Sequence, residues 1–286
     1  MSRIAYVNGR YLPQRNATVS IDVRGFQFAD GVYEVTPAYR GRLFRFDRHL
    51  ARMARGLAEL RMGYDVADLP GIHSRLLEEN GLEGEEIATV YVQVTRGVAP
   101  RSHAFPAGDT EPTVYAFAAP FRRPPRERWD EGFGAVTVPD RRWARVDIKS
   151  IALLPNVLAQ QAAAEAGAAD AIFVRDGVAL EGAHNNLFFV FGGTLVTHPA
   201  SHQILHGITR EYILELAGRM GIPVEERAVQ IEEMEAADEL FFTGSTTEVR
   251  PCVEVDGRPV SDGRPGPVTR RLYDAFLAGV GQNSGK

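Results

Sequence analysis

Of the 32 basic residues in the chain, all but Lys149 and the terminal Lys286 are arginine, so Lys149 is the one internal primary amine. Arginine stays protonated at any ordinary pH, whereas a desolvated lysine, or one set beside another cation, sheds its proton and becomes a nucleophile or base. A lysine kept against so strong a bias points to amine chemistry. The competing explanation is chance, or a lysine whose stem covers the apolar Ile148. Glu181, in the stretch LEGAHNN after a strand, sits in a turn-like context with no charged neighbour and could pair with a cofactor ring nitrogen, although most turn glutamates are simply solvated. The helix start at Thr209-Arg210, preceded by His206-Gly207-Ile208, offers backbone N–H groups and a positive dipole end suited to a phosphate, with an ordinary Thr cap as the alternative. The run Thr243-Gly244-Ser245-Thr246-Thr247 could add hydroxyl donors to the same phosphate.

Arg52 falls, by helical spacing, opposite an apolar stripe and near Arg48 and Arg55, as a solvated basic face would. Arg101 and His103, in APRSHAFP, could clamp a carboxylate, the guanidinium gripping both oxygens and the imidazole adding a donor. His198, His202 and His206 recur every four residues, but Pro199 and Gly207 break the helix that would aim them at one metal ion, so no metal is expected.

These residues need elements to hold them. IAYV and RYL flank Asn8-Gly9, a strong hairpin signal, and VYEVTPAYRGRLF reads as a second hairpin. Residues 24–30 lack a period and read as loop. A helix is expected over 47–62, capped by Asp47, with Leu50, Met53, Ala54, Leu57 and Leu60 on one face, and another over 69–80, capped by Asp68. ATVYVQVTR follows as a strand. The charged, proline-bearing FRRPPRERWDEG marks an interdomain linker at 121–133, between a small N-terminal α/β domain (1–120) and a larger C-terminal domain (134–286). The latter is expected to hold strands at GAVTV, DAIFVRDG, NLFFVFGG and ELFFT, hairpin turns at Asp176-Gly177, Gly192-Gly193 and Asp256-Gly257, and helices over 153–167, 209–220 and 267–277.

A chain of 286 residues that is 44% hydrophobic and 24% charged has the composition of a packed globular protein, long enough for two domains. A net charge of −5 argues against a polyanion-binding role, and no apolar run reaches the ~18 residues that a membrane span requires. One cysteine, Cys252, forms no intrachain disulfide, and MSRIAYVNGRYL has no apolar signal core; the expectation is a cytoplasmic protein.

Taken in order, DVRGFQFADGVYEV (22–35), HLARM (49–53), VTRGVAPRSHAFP (94–106), DIKS (147–150), LEG (180–182), ILHGITR (204–210) and TGSTTEVRP (243–251) resemble the fold-type IV pyridoxal-phosphate enzymes along nearly the whole chain, and among them the D-amino-acid transaminases. That resemblance implies a mixed α+β, two-domain fold with pyridoxal 5′-phosphate (PLP) between the domains. It makes Lys149 the Schiff-base and proton-transfer residue and Glu181 the partner of the pyridine nitrogen. Arg52, Ile208, Thr209, Ser245 and Thr246 would hold the phosphate, and Leu205 would pack on the ring. Tyr33, Val35, Arg101 and His103 would bind substrate, the last two reaching over from a neighbouring subunit, which implies a homodimer. The implied reaction is ping-pong transfer of an amino group from a D-amino acid such as D-alanine to a 2-oxo acid such as 2-oxoglutarate. Its rivals are an (R)-selective amine transaminase, which needs no carboxylate clamp, and a lyase similar to aminodeoxychorismate lyase. The chain departs from the family pattern at Ala183-His184-Asn185, where serines are common.

Overall fold

Asn8 and Gly9 turn the chain between β1 (Ile4–Val7) and β2 (Arg10–Pro13), both at positive φ as a tight hairpin requires. The computed structural model describes residues 3–108 and 110–282. Its described part divides into two units, one of 3–122 with 148–152, the other of 123–147 with 153–282. The break falls between Arg122 and Arg123, and two features depart from the expected domain plan. The stretch expected as linker holds a short helix, Arg126–Glu131, whose Trp129 is buried, and Ile148–Ala152, which carries Lys149, packs with the first unit.

In the first unit, α1 (Arg24–Phe28), β3 (Gly31–Tyr39), β4 (Arg42–Leu43), α2 (Phe46–Glu59), α3 (Leu69–Glu79), β5 (Ile87–Thr95) and β6 (Thr113–Pro120) follow the hairpin. The strands form one antiparallel sheet in the order β2-β1-β6-β5-β3-β4. Alternation fixes its two faces. Val32, Glu34 and Thr36 of β3 and Val90, Val92 and Val94 of β5 point into a core with Met53, Leu57, Leu76 and Leu77, while Tyr33, Val35, Tyr91, Gln93, Tyr115 and Phe117 share the other face. Residues 24–30, expected as loop, contain the five-residue α1, too short to show a period.

The buried stripe of α2 is His49, Arg52, Met53, Gly56 and Leu57, an i, i+3, i+4, i+7, i+8 pattern rotated from the expected one so that Arg52 lies inside rather than on a solvated face. Gly56 permits this approach, since a Cβ there would meet Val32 at 3.2 Å. The helix begins after Arg45, which holds a left-handed backbone, so Asp47 lies in the first turn and is not the cap. Asp68 does precede α3, but its side chain makes no capping bond.

The second unit contains α4 (Arg126–Glu131), β7 (Phe133–Pro139), α5 (Leu154–Glu165), β8 (Asp170–Arg175), β9 (Val178–Gly182), β10 (Asn186–Phe191), β11 (Thr194–Thr197), α6 (Ile208–Arg219), β12 (Val224–Glu226), β13 (Val229–Gln230), α7 (Ile231–Met234), β14 (Glu239–Gly244), β15 (Glu248–Val255), β16 (Arg258–Pro259) and α8 (Pro267–Gln282). Its ten-stranded mixed sheet runs β12-β11-β10-β14-β15-β7-β8-β9-β13 with β16 paired off β15, and an added pairing of β9 with β10 closes six of these strands on themselves. The closing pair is Glu181 opposite Asn186. Phe189, Leu240 and Phe242 fill one core, and Ala159 and Ala163 of α5 pack on Phe173 in another.

Candidate active site

Lys149 sits where β3 has an open edge. Because β4 covers only Ala38 and Tyr39, the start of β3 is free to bond residues 149–151: Tyr33 N–H donates to the Lys149 carbonyl (3.1 Å), and Ile151 N–H donates to Gly31 (3.1 Å). Ile148 and Ser150 are buried on either side, and the half-buried Lys149 extends Nζ to 4.3 Å from the Tyr33 ring centroid. The strand that presents Tyr33 and Val35 to one face sends Glu34 to the other.

Glu34, 2% exposed, accepts Arg52 Nε and Nη2 in a fork (2.7 and 2.8 Å) and lies 2.8 Å from His49 Nδ1. Burial pushes the Glu34 carboxyl up, but the Arg52 charge and the hydrogen bonds of Arg52 and His49 outweigh it and hold the carboxyl well below the usual range. Burial lowers the His49 pKa, and the nearby Arg52 and Lys149 charges add to that against the pull of Glu34. His49 is thus neutral at pH 7, with a buried Nε2 that has no hydrogen-bond partner among the described residues. Sequence reading missed Glu34 and His49, although the period-2 pattern of β3 and the i, i+3 spacing of His49 and Arg52 carry the signal.

Arg101 and His103 lie on an exposed segment without regular structure, yet they meet at one ring: Phe28 has the Arg101 guanidinium 5.0 Å from its centroid and the His103 ring at 5.3 Å.

In the second unit Glu181 is a buried strand residue rather than a turn residue, 3% exposed. Its carboxylate accepts hydrogen bonds from Arg142 Nη1, from Asn186 Nδ2 (2.9 Å) and from Leu205 N–H (3.0 Å). Burial raises its pKa, opposed by Arg142 and by the Leu205 N–H. Three donors aimed at one carboxylate fit its ionised form. Arg142 also forks onto Asp140, which Arg175 shares, and its guanidinium lies 4.0 Å from the Phe173 centroid. Neither Arg142 nor Asn186 was singled out from sequence; Arg142 stands 39 positions from its partner.

Asn186 Nδ2 donates also to the Leu205 carbonyl (2.8 Å), so Glu181 and Asn186 together fix the Leu205 backbone just before α6. That helix is capped by Gly207, not Thr209, and a Cβ at Gly207 would fall 2.0 Å from Asn186 Oδ1. Ile208 and Thr209, both buried, therefore bring N–H groups with no intrahelical acceptor to the helix start. Register aligns Glu181, Asn186 and Thr243 across β9, β10 and β14, and Ser245 and Thr246 form the turn into β15. The buried hydroxyls of Thr243 and Thr247 lack hydrogen-bond partners among the described residues. Within the second unit, a buried carboxylate that accepts hydrogen bonds, helix-start N–H groups and orphaned hydroxyls fit an aromatic ring bearing a protonated nitrogen and a phosphate, and the amine of Lys149, in the first unit, is of the kind that bonds an aldehyde. Among the described residues no group of three or more His, Cys, Asp or Glu is placed to hold a metal ion.

The sequence profile of the family described as Amino-transferase class IV matches residues 31–255. The chain belongs to the class IV amino-transferases. This class IV aminotransferase is 40% identical over 273 residues to the D-alanine aminotransferase of Staphylococcus haemolyticus, covering 95% of each chain. Its fold is similar to the branched-chain amino acid aminotransferase of Escherichia coli (TM-score 0.88, 27% identity, 97% of this chain and 94% of that one). It is also similar to the T.th. branched-chain amino acid aminotransferase complexed with N-(5′-phosphopyridoxyl)-L-glutamate (TM-score 0.87, 25% identity, 98% and 94%).

Proposed function

We infer that this class IV aminotransferase uses pyridoxal 5′-phosphate to move the amino group of a D-amino acid such as D-alanine to a 2-oxo acid such as 2-oxoglutarate. The observation that carries the reading is Lys149, the single lysine among the described residues, with Nζ against the Tyr33 ring. Identity of 40% along 95% of a D-alanine aminotransferase supports the substrate class and handedness over the branched-chain enzymes, whose identity is 27% or less in the two cases above.

When bound, the cofactor accepts the electron pair released at the substrate Cα. Lys149 would hold the cofactor through Nζ and would carry the Cα proton of the substrate as a base. Glu181 accepts a hydrogen bond from the ring nitrogen and keeps that nitrogen protonated by its charge. Leu205, fixed by the Glu181 and Asn186 bonds, packs on the ring. Ile208 and Thr209 N–H groups, the Ser245 and Thr246 hydroxyls and the Arg52 cation hold the phosphate. Tyr33, Val35, Arg101 and His103 orient the substrate, the last two binding its carboxylate. Their exposure supports a homodimer in which they serve a neighbouring subunit. A single, buried cysteine accords with a cytoplasmic protein, and none of the described helices is long and apolar enough to cross a membrane.

The test is pyruvate release from D-alanine. Release beyond one equivalent per site is expected only in the presence of a 2-oxo acid acceptor, with L-alanine inert and Lys149→Ala inactive. Pyruvate formed from aminodeoxychorismate without any acceptor would replace this reading with a lyase, and full activity of Arg101→Ala on D-alanine would replace it with a carboxylate-independent amine transaminase.

A further inference from the structure

The Arg101 and His103 side chains stand on a segment that has no strand or helix to hold it and is exposed at every residue from Arg101 to Phe105. We propose that Asp30 is a positioning residue for substrate, holding this segment in place through two buried arginines; the proposal rests on reading Arg101 and His103 as the carboxylate-binding pair.

Asp30 lies between α1 and β3, and its carboxylate accepts Arg24 Nε at 2.8 Å together with Arg96 Nε and Nη2 at 2.8 and 3.0 Å. Arg24 and Arg96 are 3% and 8% exposed, so the single carboxylate compensates two desolvated cations. Each arginine then reaches the segment at a different point. Arg24 Nη1 donates to the carbonyl of Ser102, the residue between Arg101 and His103, at 2.6 Å. Arg96 lies 3.7 Å from the Phe105 ring centroid, and Arg61 lies 4.8 Å from the same ring. Arg96 also donates to the carbonyls of Leu60 and Arg61 (2.7 and 3.0 Å), which ties Phe105 to the end of α2. The third hold is Phe28, which Arg24 covers at 4.8 Å and against which both Arg101 and His103 rest.

Ser102, Phe28 and Phe105 therefore trace to one carboxylate. Fork geometry and charge make its bonds short and directional, so loss of the Asp30 charge releases the segment on both sides at once. Burial pushes the Asp30 carboxyl up, but the hydrogen bonds from Arg96 and Arg24 prevail and keep it ionised through the neutral range. A carboxylate trap displaced by about 1 Å loses much of its binding advantage.

The test uses the PLP-loaded enzyme and three variants: Asp30→Asn, Phe105→Ala and Arg101→Ala. Calorimetric titration with D-lactate, which has the carboxylate but no amine to transfer, reads the trap alone. Bleaching of the cofactor by hydroxylamine, which has no carboxylate, reads the remainder of the site. The expected result for Asp30→Asn and Phe105→Ala is D-lactate affinity weaker by about tenfold, a matching rise in KM for D-alanine, kcat within about twofold and an unchanged hydroxylamine rate. Phe105→Ala removes an exposed ring and keeps the question open to refutation should Asp30→Asn fail to fold. Normal D-lactate binding in Asp30→Asn or Phe105→Ala beside weakened binding in Arg101→Ala overturns the role of Asp30 while leaving the trap intact. Normal binding in Arg101→Ala overturns both.

Discussion

At the scale of single residues, the chemistry rests on how burial is offset. Glu181 has its pKa raised by burial, and Arg142 is the charge that opposes the rise. Arg142→Met should therefore drive the Glu181 pKa further upward, weaken its hold on a protonated ring nitrogen and cut kcat by about 10- to 100-fold, with the loss greatest on the acid side of the pH–rate profile. A profile that keeps its wild-type shape would contradict the role given to Arg142. Lys149 was legible in the sequence because arginine replaces lysine almost everywhere else. Arg142 and Asn186 were not, since Arg142 reaches Glu181 from a loop 39 positions away and Asn186 acts across strands, contacts that local spacing does not encode. Arg52 misled for a similar reason: its spacing suits a solvated face, and only Glu34, from a different element, stabilises its charge inside.

At the scale of elements, period and turn chemistry were the readable part. The Asn8-Gly9, Asp176-Gly177, Gly192-Gly193 and Asp256-Gly257 turns join the antiparallel pairs expected of them. Helices α2, α3, α5 and α6 begin within a residue or so of their expected starts, whereas α8 runs to Gln282, five residues past the expected Leu277. The short α1 and the burial of Glu181 in β9 escaped, because five residues are too few to show a helical period and a strand pairing with two partners has no local signature. Gly207 tests the element-scale account. Gly207→Ala puts a methyl group 2.0 Å from Asn186 Oδ1 and should displace Asn186 from Glu181 and Leu205, costing roughly 1–3 kcal/mol of stability. A fall in Tm together with weaker PLP retention is the expected readout; Gly63→Ala, where no atom lies within 4 Å and, as at Gly207, φ is not positive, controls for the added methyl group alone.

At the scale of the whole molecule, buried histidines set an acid limit. His73 lies on α3 with no exposed surface, and burial lowers its pKa from 6.5 to about 4, helped by His49 and opposed by its bond to the Leu69 carbonyl. A folded pKa below the unfolded one means that the neutral form favours folding: this contribution is whole above pH 6.5 and is lost as pH falls towards 4. The Tm should drop across that window, and His73→Leu should flatten the drop, since up to roughly 3 kcal/mol of the loss belongs to this group. An equally steep decline in the variant would assign the acid sensitivity elsewhere. His49 has its pKa lowered in the same direction, and Glu34 extends the loss to lower pH, because its carboxylate must be protonated against Arg52.

The central claim, an amine at Lys149 serving D-amino acids, is tested most directly by adding D-alanine and then L-alanine to the PLP-loaded protein and following the long-wavelength absorbance of the cofactor. The account predicts that D-alanine bleaches it and L-alanine does not, and that pyruvate restores it. Bleaching by L-alanine alone, or by neither, would contradict the account.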